Sequence, residues 1–212
     1  MRTFLLGNSL VAELNDPQWT TICRPGADWE QLANYVLSNR VRFTDSFVYI
    51  LVGPVRFTRL HRTRGRRECV LSSFAVGTPL SWFRTWLQQL VPLNIIPILC
   101  TVYPLEFRSY NNAIRRERLL LQDFYNEWTE QLKGMVVVEN RLIVNFNVRL
   151  GMATPFIHRR IFHRRPGGYA FRPRFLRDGL HPTQQIAQEW VTELRHVGRL
   201  NNLAWQNRHG RV

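Results

Sequence analysis

The chain has 212 residues, 45% of them hydrophobic, and its 29 lysine and arginine residues against 15 acidic residues give a net charge of +14. This composition excludes collagen-like, coiled-coil, disulfide-scaffold and wholly disordered proteins. The length predicts one domain with a core of its own. All basic residues but one are arginine, which binds phosphate and carboxylate groups in a bidentate manner, so the charge indicates a polyanionic partner. A coding sequence biased toward arginine would produce the same ratio.

The cysteine pattern and the N-terminus predict an intracellular protein, in the cytoplasm or nucleus. The three cysteines, Cys23, Cys69 and Cys100, lie in no arrangement with metal-ligand spacing, which predicts free thiols, no metal and no cofactor. Met1–Leu14 lacks the long apolar stretch and cleavage site of a signal peptide. No apolar run approaches the eighteen or so residues of a transmembrane segment.

Short apolar runs that end at glycine or proline predict buried strands, and apolar residues at helical spacing predict helices. The predicted strands are Thr3–Leu6, Trp19–Cys23, Ser46–Val52, Ile95–Val102 and Met135–Val138, with Leu142–Phe146 as its extension or as a following strand. The predicted helices are Trp29–Asn39 with Asp28 as its N-cap, Leu80–Leu90, Asn111–Leu132 and Thr183–Leu194. Buried strands without alternation, separated by helices, indicate an α/β three-layer sandwich with a central parallel sheet of about five strands.

The loops that follow the predicted strands hold the candidate catalytic residues. Ligands of open parallel sheets bind beyond the carboxyl ends of the strands. The segments there are Gly7-Asn8-Ser9, Pro25-Gly26, Gly53-Pro54-Val55 and, before the last helix, Asp178-Gly179-Leu180-His181-Pro182. A serine, an aspartate and a histidine can therefore share one edge, as a Ser-His-Asp hydrolase requires. Each signal also has a simpler interpretation, since serine often caps helices and Asp-Gly often forms turns.

These segments, in this order, resemble the sequence blocks of the SGNH hydrolase superfamily, also called GDSL-type hydrolases. Gly7-Asn8-Ser9 matches the GDS block, Gly26 the glycine of the second block, and Gly53-Pro54-Val55-Arg56 the GxND block. Asp178 and His181 match the DxxH block in full. The resemblance extends from Leu5 to about Leu194 and implies one SGNH domain over residues 1–212 with a flavodoxin-like fold.

The resemblance implies a role for each matched residue. Ser9 would be the nucleophile, His181 the general base and acid, and Asp178 the residue that orients His181. The oxyanion hole would be formed at Ser9, Gly26 and Gly53, with Val55 in place of the family's asparagine and Asn8 in place of the GDS aspartate. Loss of one oxyanion donor costs about 10²–10³ in rate.

Two functions are therefore predicted as alternatives. The first is cleavage of a carboxylic ester, with an acetyl ester as the candidate, through an acyl-serine intermediate without a cofactor. The second is a catalytically weakened SGNH fold that binds a nucleic acid or another polyanion, or that serves in assembly. Ser9, Asp178 and His181 favour the first alternative, and Pro54 with Val55 favours the second.

Two arginine-rich loops are expected at the same edge as Ser9, because residues 56–67 follow the Gly53-Pro54-Val55 segment and residues 156–177 precede the Asp178 segment. The predicted polyanion-binding residues are Arg56, Arg59, Arg62, Arg64, Arg66, Arg67, Arg159, Arg160, Arg164 and Arg165. In the second loop, arginines alternate with Tyr169, Phe171 and Phe175, a pattern that suits single-stranded nucleic acid. A solvated loop or a surface for an acidic protein is the alternative.

A narrower resemblance concerns the origin of the chain. The stretch Phe57-Thr58-Arg59 and the arginine-rich segment before Asp178 resemble the esterase-like domains of eukaryotic retroelements. This resemblance implies that the chain derives from a virus or a transposable element.

Overall fold

The computed structural model describes residues 1–63, 66–72, 86–114 and 124–209. Its centre is a parallel sheet with the strand order β2-β1-β3-β6. The four strands are β1 (Arg2–Gly7), β2 (Thr20–Cys23), β3 (Ser46–Leu51) and β6 (Ile95–Leu99). Gly7 at the end of β1 pairs with Cys23 of β2 and with Leu51 of β3. These three strands therefore end at the same level, and the loops that follow them meet at one edge.

The described residues also form two antiparallel hairpins, α-helices and short 3-10 turns. The hairpins are β4–β5 (Thr58–Thr63 and Arg66–Leu71) and β7–β8 (Phe162–Arg165 and Gly168–Phe171). The helices are α1 (Trp29–Ser38), α2 (Arg40–Phe43), α3 (Phe107–Ala113), α4 (Tyr125–Arg149) and α5 (Gln184–His209), in addition to helical residues 86–90. Within the described ranges, no helix combines the length and the apolar character that a membrane crossing needs.

The predicted α/β sandwich with a central parallel sheet is confirmed. Every residue of β3 and of β6 is buried, as expected for strands covered by helices on both faces. Helix α1 begins where the sequence predicts, because the Asp28 carboxylate accepts a hydrogen bond from the Gln31 amide and the Gln31 side chain accepts one from the Asp28 amide. This reciprocal capping box satisfies two amides that a helix start leaves unpaired.

The strands predicted at Met135–Val138 and Leu142–Phe146 are wrong, since both segments lie inside helix α4. The buried residues Val136, Ile143 and Phe146 recur at helical spacing, and a run of four apolar residues cannot distinguish a strand from one face of a helix. The predicted helix Asn111–Leu132 is also displaced. Its first residues belong to α3 and its last residues to α4, with residues 115–123 outside the described part.

Asparagine side chains of α4 occupy the free edge of the sheet beside β6. Asn147 accepts a hydrogen bond from the Leu99 amide at 3.0 Å and donates one to the Leu99 carbonyl at 2.8 Å. Asn140, two turns earlier on the same helix face, makes the same pair of bonds to Val102 at 2.7 and 2.8 Å. These four bonds satisfy backbone groups that a neighbouring strand would otherwise bind.

Both arginine-rich loops contain regular structure. Residues 56–67 include strand β4 and the start of β5, and residues 156–177 include the hairpin β7–β8 and a 3-10 turn at Pro173–Phe175. The last helix continues to His209, well past the predicted end at Leu194. Of the predicted helix Leu80–Leu90, residues 86–90 are helical, and residues 80–85 lie outside the described part.

Candidate active site

Ser9 lies in a tight turn that follows β1 directly. A side chain at Gly7 would collide with the Leu51 carbonyl oxygen, so the strand requires glycine there. The next residue, Asn8, is buried and caps a 3-10 turn: its Oδ1 accepts a hydrogen bond from the Leu10 amide at 3.1 Å, and its carbonyl accepts one from the Val11 amide at 3.2 Å. The side chain of Asn8 thus makes an N-cap bond that an aspartate in this position could make as well. These bonds leave the Ser9 amide unused within the turn.

Ser9, His181 and Asp178 form a continuous chain of hydrogen bonds. The Ser9 Oγ atom lies 3.0 Å from His181 Nε2. His181 Nδ1 lies 2.7 Å from Asp178 Oδ2. The side chains of His181 and Asp178 are mostly buried, with 19% of His181 and 24% of Asp178 exposed. The distances are those of a hydroxyl next to a general base that is itself held by a carboxylate.

The Asp178 carboxylate also organises its own loop. Its Oδ1 atom accepts hydrogen bonds from the amides of Leu180 at 3.0 Å and His181 at 2.7 Å. Burial acts to raise the pKa of this carboxyl, but the bonds from the His181 ring and from the two amides outweigh it and lower the pKa to about 2. Asp178 is therefore ionised at neutral pH and can stabilise a protonated imidazole at His181.

The segment after β6 holds the Asp178 loop in place. The buried Tyr103 hydroxyl donates a hydrogen bond to the Leu180 carbonyl at 2.7 Å, and its ring contacts Trp190 with centroids 5.4 Å apart. The Glu106 amide donates to the Gly179 carbonyl at 2.9 Å. Sequence reasoning missed Tyr103 and Glu106. Their position just beyond the carboxyl end of a buried strand was the available signal.

Gly179 is the glycine that the loop requires. Its φ of +83° is in the left-handed region, and an added Cβ would lie 2.6 Å from the Glu106 carbonyl oxygen. Any other residue would strain the backbone and push the loop away from this segment. The Asp-Gly pair therefore serves both the turn and the close packing beneath it.

The Gly53 segment lies between the Ser9 turn and the Asp178 loop and has valine at position 55. An added Cβ at Gly53 would lie 2.8 Å from Leu10 Cδ1 and 3.8 Å from Leu180 Cδ1, so Gly53 packs between the Ser9 turn and the Asp178 loop. Val55 follows in a 3-10 turn, Pro54–Phe57, and its side chain cannot donate a hydrogen bond. The segment therefore supplies close packing beside the site but no side-chain donor at position 55.

The Arg56 guanidinium is engaged with a buried carboxylate of helix α4. Its Nη1 atom lies 3.4 Å from Glu139 Oε1, and only 5% of the Glu139 side chain is exposed. Burial raises the pKa of Glu139, while the charge and hydrogen bonds of Arg56 act to lower it. The ion pair ties the Pro54–Phe57 turn to α4, so Arg56 has a structural role.

Gly26 lies in the turn that follows β2. The Arg24 amide donates to the Gly7 carbonyl at 2.7 Å, which continues the pairing of β1 and β2 beyond the strand end. Gly26 has a φ of +75°, and an added Cβ would meet no atom within 4 Å. This turn therefore borders open space beside the Ser9 turn.

The predicted polyanion-binding arginines whose side chains the structure describes fall into two groups. Arg56 is paired with Glu139, and Arg160 is paired with Glu189 at 2.9 Å. Exposed positions on or beside the two hairpins hold Arg59, Arg62, Arg67, Arg159, Arg164 and Arg165. Arg64 and the Arg66 side chain lie outside the described part.

The described part of the chain contains no group of three His, Cys, Asp or Glu side chains that could hold a metal ion. The three cysteines are free thiols, as predicted, with Cys69 and Cys100 buried.

No protein-family model matches the chain, and no curated protein matches its sequence. Solved structures of GDSL-like lipases and acylhydrolases are similar to it. For a GDSL-like lipase from Bacteroides thetaiotaomicron, the TM-score is 0.59 at 12% identity, over 94% of this chain and 88% of that one.

Two further similarities lie outside the bacterial lipases. The OSK domain of Drosophila Oskar matches with a TM-score of 0.53 at 13% identity, over 91% of this chain and 86% of that one. The esterase domain of a zebrafish retrotransposon ORF1 protein matches with a TM-score of only 0.36 at 16% identity, over 94% and 99% of the two chains. The retroelement origin stays a prediction. The sheet, the order of the loops and the similarity to solved lipases together show that this chain has the fold of the GDSL/SGNH-type hydrolases.

Proposed function

We propose that the chain is a serine hydrolase that cleaves carboxylic esters, with an acetyl ester as the candidate substrate. One observation carries the proposal: the hydrogen-bond chain from Ser9 Oγ through His181 to the Asp178 carboxylate. A serine hydroxyl is a weak nucleophile unless an adjacent base takes its proton. The three residues also lie at the edge of the sheet where ligands of such folds bind.

The proposed reaction has two steps. In the first, Ser9 Oγ attacks the ester carbonyl carbon while its proton moves to His181 Nε2, and the same proton then passes to the departing alcohol. In the second, His181 takes a proton from water, the resulting hydroxide attacks the acyl-serine, and the proton returns to Ser9 as the acid leaves. The Asp178 carboxylate stabilises the imidazolium form of His181 in both steps.

The oxyanion formed in each step requires hydrogen-bond donors. The Ser9 amide is a candidate, because the local turn uses the Leu10 and Val11 amides instead. Gly26 is a second candidate, since it lies in the neighbouring turn beside open space. Val55 offers no side-chain donor where the family has asparagine. We therefore expect turnover to be slow relative to an enzyme with three donors.

A serine-directed fluorophosphonate probe tests the proposal directly. The probe should label the folded wild-type protein, and Ser9→Ala and His181→Ala should each abolish labelling. Ser38→Ala, which removes a hydroxyl at the end of α1, should leave labelling unchanged. Circular dichroism establishes that each variant is folded. Absence of label on folded wild-type protein, or label on Ser9→Ala, would contradict the assignment of the nucleophile.

The alternative function is a polyanion-binding module built on the same fold. Val55 favours it, because a binding module does not require a complete oxyanion hole. The exposed arginines beside the β7–β8 hairpin favour it as well, since several have no acidic partner in the described part of the chain. The two functions are compatible, because the arginines lie outside the Ser9-His181-Asp178 chain of hydrogen bonds.

A further inference from the structure

The hairpin β7–β8, here called the basic hairpin (Phe162–Phe171), is anchored to the body of the protein. Phe162 at its start is buried. The Arg172 amide donates to the Ile161 carbonyl at 2.8 Å, and the Thr183 amide donates to the Phe175 carbonyl at 2.9 Å. The segment that leads from the basic hairpin to Asp178 is therefore held on both sides. The hairpin presents its side chains from a fixed position.

A surface groove of about 390 Å³ lies between the basic hairpin and helix α4. Its lining includes three aromatic side chains, Phe156, Phe162 and Tyr169, together with Asn145 of α4. The Phe162 and Tyr169 rings are stacked, with centroids 5.0 Å apart and planes 19° apart. This stack supports the Tyr169 ring in a defined orientation. The groove thus offers flat apolar surface together with an amide that can form hydrogen bonds.

His158 adds an unsatisfied polar group to the groove lining. Its Nδ1 atom is buried and has no hydrogen-bond partner among the described residues. Burial, followed by the charge of Arg159, lowers the pKa of His158 to about 4, so the ring is neutral at physiological pH. A neutral imidazole can donate one hydrogen bond and accept another. Buried polar atoms without a partner are rare in folded proteins, and a bound ligand is one way to satisfy them.

Arginines without an acidic partner surround the groove. Arg141 lies in its lining, and Arg159, Arg164 and Arg165 lie on or just before the basic hairpin. No carboxylate of the described residues is within ion-pair distance of these four, whereas nearby Arg160 is paired with Glu189 at 2.9 Å. The positive charge around the groove is therefore available to an anionic ligand.

We propose that this groove binds single-stranded nucleic acid, with a base against the aromatic lining and the flanking phosphates on the surrounding arginines. Stacking on an aromatic ring requires an unpaired base, because the faces of paired bases are covered by their neighbours in a duplex. The alternation of aromatic and arginine side chains supplies both the stacking surface and the phosphate contacts. The proposal does not depend on the esterase function, because none of these residues contacts Ser9.

Fluorescence anisotropy with a labelled ten-nucleotide oligouridine, measured from 50 to 300 mM salt, tests the proposal. Tyr169→Leu should raise the Kd about five- to a hundredfold, the range that loss of one stacked base produces. Replacing Arg164 and Arg165 by alanine should reduce the salt slope by about 0.7 for each phosphate that the protein then leaves unneutralised. Replacing Arg40 and Arg42 by alanine removes the same two positive charges from α2, outside the groove lining, and should change little, as should Ser9→Ala.

Binding of heparin, a polyanion without bases, distinguishes base stacking from attraction by charge alone. Oligouridine should bind with a Kd that depends on Tyr169, while heparin binding should be the same for the wild type and Tyr169→Leu. If Tyr169→Leu leaves oligouridine binding unchanged, or if the Arg40 and Arg42 replacements weaken it as much as the hairpin replacements do, the groove is not the site. No binding of oligouridine at 50 mM salt would also overturn the proposal. Binding to poly-glutamate with the same arginine dependence but no oligouridine binding would indicate an acidic protein partner instead.

Discussion

The Asp178–Pro182 loop and the Pro54–Phe57 turn both lie near the Ser9 turn. They differ in the chemical groups that they bring to the candidate site. The loop contains an ionised carboxylate, a histidine within hydrogen-bond distance of Ser9, and support from Tyr103. The turn presents valine at position 55, and its charged residue is directed to Glu139. In the proposed reaction, activation of the nucleophile and stabilisation of the oxyanion therefore depend on separate segments, and one can weaken while the other is retained.

The Asp178 loop and the Pro54–Phe57 turn are stabilised by different interactions. The Asp178 loop is stabilised by hydrogen bonds that the proposed catalytic carboxylate of Asp178 makes with the Leu180 amide, the His181 amide and the His181 ring. The Pro54–Phe57 turn is tied to α4 by the Arg56–Glu139 ion pair, which does not involve Val55. A change at position 55 thus affects the chemistry of the site more than the stability of the turn.

The largest effect is expected for Asp178→Asn, in the loop that activates the nucleophile. An amide at this position cannot hold the His181 tautomer that accepts the Ser9 proton, so kcat should fall about 10⁴-fold. Hydrolysis of an activated acetyl ester measures the change. Asp28→Asn removes a carboxylate at the start of α1 while keeping its cap, so it should retain full activity. A loss of less than tenfold for Asp178→Asn would show that the pair does not act in the reaction.

A smaller effect, of opposite sign, is expected for Val55→Asn in the Pro54–Phe57 turn. Adding one side-chain donor should raise kcat about tenfold, part of the 10²–10³ that a complete donor is worth. Val55→Leu keeps an apolar side chain and should produce no increase. An unchanged rate for folded Val55→Asn protein would mean that another group already fills the position, or that the turn does not face the oxyanion.

Tyr103→Phe tests whether the hydrogen bond from the Tyr103 hydroxyl to the Asp178 loop contributes to the rate of the proposed reaction. Loss of the bond to the Leu180 carbonyl costs about 1 kcal/mol, and where the whole cost falls on the transition state, kcat falls by at most about fivefold, with KM unchanged. The rate of fluorophosphonate labelling should fall by the same factor. Tyr110→Phe removes a neighbouring hydroxyl with no bond to Leu180 and serves as the control. Equal effects of both variants would assign Tyr103 a purely structural role.

The smallest effect is expected when the pH is lowered, and it concerns the ionisation of the Asp178 carboxylate. Because hydrogen bonds hold the pKa of Asp178 at about 2, its carboxylate should remain ionised from pH 8 down to pH 4. Its contribution to stability is present above the unfolded pKa, which is about 3.9, and is lost as the pH falls through the folded value. The carboxyl ¹³C shift of Asp178, followed by NMR, measures this directly. A titration step between pH 4 and pH 8 would contradict the hydrogen-bond geometry.

Local patterns allowed the sequence alone to predict much of the fold. Strands β1, β2, β3 and β6 are apolar runs that end at turn residues, and α1 has an N-cap and an apolar face. Each of these signals lies within a few neighbouring residues. Asp178 and His181 are three residues apart, so their contact too is a property of one short loop.

Only the tertiary structure decided the features that depend on contacts between distant residues. Residues 135–146 are helical because Val136, Ile143 and Phe146 face the core together. On the same helix, Asn147 binds Leu99 of β6 and Asn140 binds Val102 just beyond the strand. Four apolar residues in a row do not reveal these contacts. Ser9 and His181, which lie within hydrogen-bond distance, are 172 positions apart in the sequence. Tyr103 and Leu180, which share a hydrogen bond, are 77 positions apart. No local pattern records such pairs, because packing of the whole chain brings them together.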